Sequence, residues 1–271
     1  MTAPPASANL QSGDGYSTRV IRFVSLDLYH TLVGPRPLRE VRMAEACADL
    51  GMQVEPGAFG RPGVVADDYY STENGRWPLH TRTTEEQQAF YRAFYGIQLH
   101  GAGLPSDHAT CEKVRELMWS RRGEWVIHED ALPAIDEMRA AGLTLGILSN
   151  TPVDATPMCA RLGLAEKVHF IVSSCLVGCE KPDPRIFHVG LEAAGVAARE
   201  ALHIGDQRLS DSVGAEAVGM ETLLLDRTGI LADEERFAKI ASLHDILPWI
   251  RARERAPRAM GQTPGVGSLI R

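Results

Sequence analysis

Residues 20–31, Val-Ile-Arg-Phe-Val-Ser-Leu-Asp-Leu-Tyr-His-Thr, decide how this chain is read. An apolar, β-branched run, Val20–Leu26, leads straight into a carboxylate, Asp27, with a hydroxyl, Thr31, four residues later. Runs of this length and composition suit strands covered on both faces, as in parallel sheets. Four more follow: Leu143–Leu148, Val168–Val172, Ala201–Ile204 and Thr222–Leu225. Helical patterns lie between or before them. Asp130–Ala141 spaces Leu132, Ile135 and Met138 along one face and stops at Gly142. Pro182–Ala194 opens with proline in its first turn and stops at Gly195, and Arg208–Val218 stops at Gly219. Strands alternating with helices imply an α/β fold around a parallel sheet with right-handed crossovers.

The first strand breaks this rhythm. About 100 residues separate Asp27 from the helix before the second strand, far more than an ordinary connection. The insert reads as helical. Leu38–Leu50 ends at Gly51; Thr84-Glu85-Glu86-Gln87 matches a capping box, followed by Phe90, Tyr91, Phe94 and Tyr95 on one face; Cys111–Arg121 is a third helix. The expected division is a disordered tail over 1–19, a core from 20–36 and 126–250, a helical cap over 37–125, and a flexible Pro/Gly/Arg-rich tail over 251–271.

At 271 residues, 44% hydrophobic and 23% charged, the chain has the composition of a soluble globular protein of one large domain, or one domain plus a smaller module. A net charge of −7 argues against a protein that coats nucleic acid or an anionic membrane. No run reaches the roughly 18–20 apolar residues of a membrane helix, and the N-terminus lacks the pattern of a secretory signal. Five scattered cysteines suit a reducing cytoplasm rather than a disulfide framework. Cys175 and Cys179 lie four apart, with no second pair to complete a zinc site.

In an open parallel sheet, ligands bind at the carboxyl ends of the strands. Strand one delivers Asp27 and Thr31 there, strand two Ser149 and Asn150, the segment after strand three Lys181, and strand four Gly205-Asp206 with Asp211 beyond. Clustered carboxylates call for a cation, and few hard oxygen ligands suit Mg²⁺ beside a substrate phosphate. The ordered set DxxxT, SN, KP and GDxxxxD over residues 20–228 resembles the haloacid dehalogenase (HAD) superfamily. The resemblance implies a three-layer Rossmann-like core with a C1 helical cap, and a hydrolase acting on a small-molecule substrate as a monomer or homodimer. It implies Asp27 as the nucleophile of a covalent aspartyl intermediate, Thr31 and Ser149 as donors to the transferring group, and Asn150 as a substrate contact. Lys181 would neutralise charge. Asp27, the Tyr29 backbone carbonyl, Asp206 and Asp211 would hold Mg²⁺, Asp211 directly, through water, or by orienting Lys181 instead.

Tyr29 departs from the pattern. Most phosphatases of the superfamily carry there a second aspartate that serves as general acid and base. A phenol with a reference pKa near 10 is a poor base. Asp-x-Tyr-x-Thr resembles the L-2-haloacid dehalogenase branch, which uses no metal, but that branch lacks the acidic residue that Asp206 supplies. Asp206 and Asp211 without a cation would repel a carboxylate substrate. The preferred reading is therefore a Mg²⁺-dependent phosphatase of a small phosphorylated metabolite. The alternatives are a metal-independent 2-haloacid dehalogenase-like hydrolase and a catalytically degenerate binding module. His30 is a substitute acid/base or a plain loop residue; Tyr29 contacts substrate or packs on the cap hinge. His203 reads as a core histidine, and Tyr69, Tyr70, Trp77, His80 and Arg82 as cap packing before substrate contacts. Arg61 reads as a surface residue and Arg251–Arg255 as a solvated helix end.

Overall fold

The computed structural model describes residues 20–121 and 123–255. In chain order the elements are β1 (Phe23–Leu26), β2 (Val33–Arg36), α1 (Arg39–Asp49), α2 (Gly60–Arg76), α3 (Thr84–Gly101), α4 (His108–Ser120), β3 (Glu124–Ile127), α5 (Ala131–Ala140) and β4 (Thr144–Ser149). There follow α6 (Thr156–Arg161), β5 (Phe170–Ser173), α7 (Ser174–Val177), α8 (Pro184–Ala194) and β6 (Ala201–Gly205). A π-turn at Arg208–Val213 runs into α9 (Gly214–Ala217), and β7 (Glu221–Leu225), β8 (Lys239–Ile240) and α10 (Ile246–Arg255) complete the order.

Six strands form one parallel sheet in the order β5-β4-β1-β6-β7-β8. Strand alternation sends Val24, Leu26, Leu145, Ile147, Leu202 and Ile204 to one face, where they pack with Ile135 and Met138 of α5 and Ile246 and Ile250 of α10. Phe23, Leu148, Val172 and Ala201 face the other way, onto Ile186, Phe187 and Leu191 of α8. The result is three layers. Asp183 caps α8 by accepting from the Arg185 amide, Pro184 occupies its first position, and Gly195 ends it at φ +65°.

The insertion after β1 is helical. It has its own core of Met43, Cys47, Phe59, Leu99, Val114 and Met118, separate from both sheet cores. The chain enters and leaves this unit through β2 and β3, an antiparallel ribbon pairing Val33 with Ile127 and Arg36 with Glu124.

Several details differ from expectation. The capping box of α3 is Thr83 with Glu86, one residue earlier than expected: the Glu86 amide donates to Thr83 Oγ1 at 3.3 Å and the Thr83 amide to Glu86 Oε2 at 2.8 Å. Neither α2 nor the ribbon nor β8 was expected; α2 begins Gly-Arg-Pro-Gly, a stretch that reads as a breaker. The single helix expected over Arg208–Val218 is a π-turn followed by one short helix. Residues 251–255 continue α10 as its exposed end, the solvated helix end expected of Arg251–Arg255, rather than belonging to a flexible tail. The tails expected over 1–19 and 256–271 lie outside the described residues.

Candidate active site

The register of the sheet aligns Leu26 with Ile147 on one side and Ile204 on the other, so the residues that follow meet at one edge. Asp27, Ser149, Lys181, Asp206 and Asp211 gather there. Lys181 Nζ donates to Asp27 Oδ1 and to Asp211 Oδ1, both at 2.6 Å. Carboxylate oxygens of Asp27, Asp206 and Asp211 lie within 4.8 Å of one another. Thr31 Oγ1 donates to Asp206 Oδ1 at 3.4 Å. Gly205 makes this packing possible: a Cβ there would stand 2.1 Å from the Asp211 carboxylate. The Gln207 amide donates to Asp211 Oδ2 at 2.9 Å.

The electrostatics are unbalanced. Three carboxylates face one ammonium, which leaves two negative charges when all are ionised. Burial raises the Asp27 carboxyl above its ordinary value, Lys181 pulls it back, and Asp211 pushes it up again. Asp206 is raised by burial and by the carboxylates of Asp27, Asp211 and Asp67. Burial works against ionisation of Asp211 too, but Lys181 and His203 hold it below the usual range. Burial would lower Lys181, yet Asp211 and Asp27 keep it above its ordinary value and so protonated. Hard oxygen donors with a surplus of two negative charges fit a divalent cation such as Mg²⁺. Ser149 Oγ is fully buried at the same edge and has no hydrogen-bond partner, which suits a donor awaiting an anion.

The structure also shows where the other expected residues lie. Asn150 clasps the backbone of Lys181: its Nδ2 donates to the Lys181 carbonyl at 2.9 Å and its Oδ1 accepts from the Lys181 amide at 2.7 Å. The amide oxygen and one of its two N–H groups are thus engaged in placing Lys181. The half-buried Tyr29 ring packs on Trp125 of the ribbon, with centroids 4.6 Å apart. Burial and the Asp27 charge raise its phenol, although a hydrogen bond with Thr151 opposes them. His30 takes a left-handed backbone, φ +63°, and its ring edge meets Trp125. Burial and the cations Arg39 and Arg42, with His128, push its imidazole down to about 3. Neither side chain is poised to exchange protons near neutral pH.

Tyr69 and Tyr70 pack on Phe90 inside the insertion, Arg82 lies over the exposed Trp77, and His80 is exposed. Arg61 is exposed and pairs with Asp233. Cys175 and Cys179 are free thiols. Sequence reading missed the contribution of α2. Its Asp68, Ser71 and Asn74 share one face and reach Arg208, Ser210 and Glu180 of the core, Ser71 to Ser210 at 2.7 Å and Asn74 to Glu180 at 2.6 Å. Their three-residue polar spacing was the available signal. A cleft of about 440 Å³ between insertion and core opens onto Asp206 and is lined by His30, Arg39, Asp67, Gln207 and Arg208 among others.

Residues 26–219 match the family model of the haloacid dehalogenase-like hydrolases. The chain is 34% identical to a phosphoserine phosphatase of Thermus thermophilus, over 76% of this chain and 89% of that protein. It is 31% identical to the human haloacid dehalogenase-like hydrolase domain-containing protein 3, over 76% of this chain and 82% of that one. Among solved structures it resembles a 2-haloacid dehalogenase from Pseudomonas syringae pv. Tomato DC3000, with TM-score 0.51 and 27% identity over 86% of this chain and 99% of that chain. Among the described residues no helix is long and apolar enough to cross a membrane.

Proposed function

Because the chain belongs to the haloacid dehalogenase-like hydrolases, we propose that it is a Mg²⁺-dependent phosphatase of a small phosphorylated metabolite, working through an aspartyl-phosphate on Asp27. The observation that carries this reading is the gathering of the Asp27, Asp206 and Asp211 carboxylates around a single ammonium, beside the unpartnered Ser149 hydroxyl. The phosphatases among the chain's relatives support it.

A carboxylate oxygen of Asp27 attacks phosphorus as the bond to the leaving oxygen breaks, and water then attacks phosphorus to release phosphate and restore the carboxylate. Lys181 holds the nucleophile and offsets charge on the phosphoryl oxygens, to which Ser149 and Thr31 donate hydrogen bonds. Asp27, Asp206 and the Tyr29 carbonyl would hold the metal; Asp211 would complete the site or, with Oδ1 already accepting from Lys181 and His203, orient Lys181. When bound, Mg²⁺ supplies positive charge to the phosphoryl group. No carboxylic acid follows the nucleophile at two residues' distance, so substrates with good leaving groups turn over fastest.

The test is phosphate release from a panel of phosphorylated metabolites with and without EDTA. Release abolished by chelation, restored by Mg²⁺ and lost in Asp27→Asn is the expected result; release indifferent to EDTA overturns the reading. Asp-x-Tyr and the likeness to a solved dehalogenase favour one second reading, metal-independent removal of halide from a 2-haloacid. Halide release in EDTA would establish it.

A further inference from the structure

A continuous line of buried polar contacts descends from the site into the sheet. Lys181 Nζ meets Asp211 Oδ1 at 2.6 Å, Asp211 Oδ1 meets His203 Nε2 at 3.1 Å, and His203 Nδ1 meets Ser25 Oγ at 2.7 Å. Ser25 and His203 are register partners on β1 and β6, two residues below Asp27 and Gly205 respectively. Both are completely buried, and the Phe187 ring stands edge-on to the imidazole at 5.2 Å.

The chemistry of these contacts admits one protonation pattern. An ionised carboxylate only accepts, so the ring nitrogen facing Asp211 carries the hydrogen. Nδ1 then presents a lone pair, and the Ser25 hydroxyl donates to it. The flanking strand residues, Leu202 and Ile204, are apolar, and packing against Phe187 alone would be met by an apolar side chain.

We propose that His203 is a positioning residue: held by Ser25 and Phe187, it fixes the Asp211 carboxylate and through it aims the Lys181 ammonium at Asp27. Asp211 has three anchors, the Lys181 ammonium, the Gln207 amide and the His203 ring. Only the ring belongs to the rigid sheet. Without it the carboxylate is held only by the Lys181 side chain and the Gln207 backbone N–H, neither of them on a strand, so it turns more readily and Lys181 follows. The consequence for turnover rests on the phosphatase reading; the contact pattern does not.

Two measurements test this on the full chain. With p-nitrophenyl phosphate as probe, His203→Leu lowers kcat about 10- to 100-fold, the range for residues that orient a reacting group, and leaves KM within about threefold. His203→Gln, which again offers an N–H to Asp211, recovers most of that loss. A folded His203→Leu with kcat within about twofold of wild type, or a Gln variant no better than Leu, overturns the proposal. Should His203→Leu not fold, Ser25→Ala takes its place: a several-fold fall in kcat supports the proposal and an unchanged kcat overturns it. Separately, ¹⁵N spectra of the histidine rings at neutral pH show His203 as the Nε2–H tautomer; the Nδ1–H tautomer overturns the proposal whatever the enzyme hydrolyses. A wild type with no phosphatase activity counts against the phosphatase reading alone.

Discussion

Burial and the Asp27 carboxylate keep the Tyr29 phenol protonated through neutral pH, and burial with nearby cations keeps His30 neutral. In the proposed phosphatase reaction the leaving group therefore departs without a strong acid beside it. Tyr29→Asp places a carboxyl at this position and is expected to raise kcat/KM for alkyl phosphates about 100-fold, the lower end of what general acid catalysis supplies. It should do little for p-nitrophenyl phosphate, whose phenolate needs no proton. Comparing the two esters checks this; an equal effect on both contradicts it. Loss of the contact with Trp125 should also destabilise the variant by about 1–3 kcal/mol. That Asp27, Ser149 and Asp206 meet at one sheet edge was legible because each follows a buried apolar run, and a strand's end is readable from composition. The grip of Asn150 on the Lys181 backbone and the turn of His203 toward Asp211 were not, since linear spacing says nothing about which distant group a side chain reaches.

At the scale of elements, the legible parts were those with strong local signals: the buried strands, the proline-opened α8, and the amphipathic helices of the insertion. The ribbon of β2 and β3 escaped because its strands are only four residues long and lie far apart in sequence, so only the tertiary fold pairs them. Just after this ribbon, Asp130 ties three segments together. It accepts from both terminal nitrogens of Arg227 at 2.8 and 2.9 Å, and from Ser242 Oγ and the Leu243 amide at 2.9 Å each. Arg227 in turn donates to the Thr31 carbonyl at 2.9 Å, beside the site. Burial opposes ionisation of Asp130, but these bonds win and push its carboxyl down to about 2. A folded-state value below the unfolded one means stability that is present above pH of about 4 and lost as pH falls toward about 2. Asp130→Asn should lower stability at pH 7 by about 1–2 kcal/mol, after allowance for solvent screening, and flatten the acid slope. Urea midpoints at neutral and acid pH measure it; parallel slopes in the two proteins would contradict it.

At the scale of the whole molecule, the insertion's core meets the sheet domain across polar contacts, Asp68 with Arg208, Ser71 with Ser210 and Asn74 with Glu180, and across an apolar one, Val64 packed with Leu224, Leu231 and Phe237. The acidic site lies at the edge of the sheet that faces this seam, so a divalent cation bound there stabilises the folded chain by mass action. Mg²⁺ at about 100 times its Kd should add about 2.7 kcal/mol and raise Tm by several degrees. NaCl at matched ionic strength should not reproduce the rise, and Asp206→Asn should remove it; thermal scans decide. The ribbon has a different kind of consequence. Because Arg36 leaves the core directly opposite the point where Glu124 returns, the two crossings stand about 5 Å apart. Everything between them enters and leaves at one place, held to the core otherwise by the seam alone. A tight turn spans such a gap, so the insertion is exchangeable at the level of the backbone without a change to the pairing of β1 with β4 and β6, at the cost of the seam contacts.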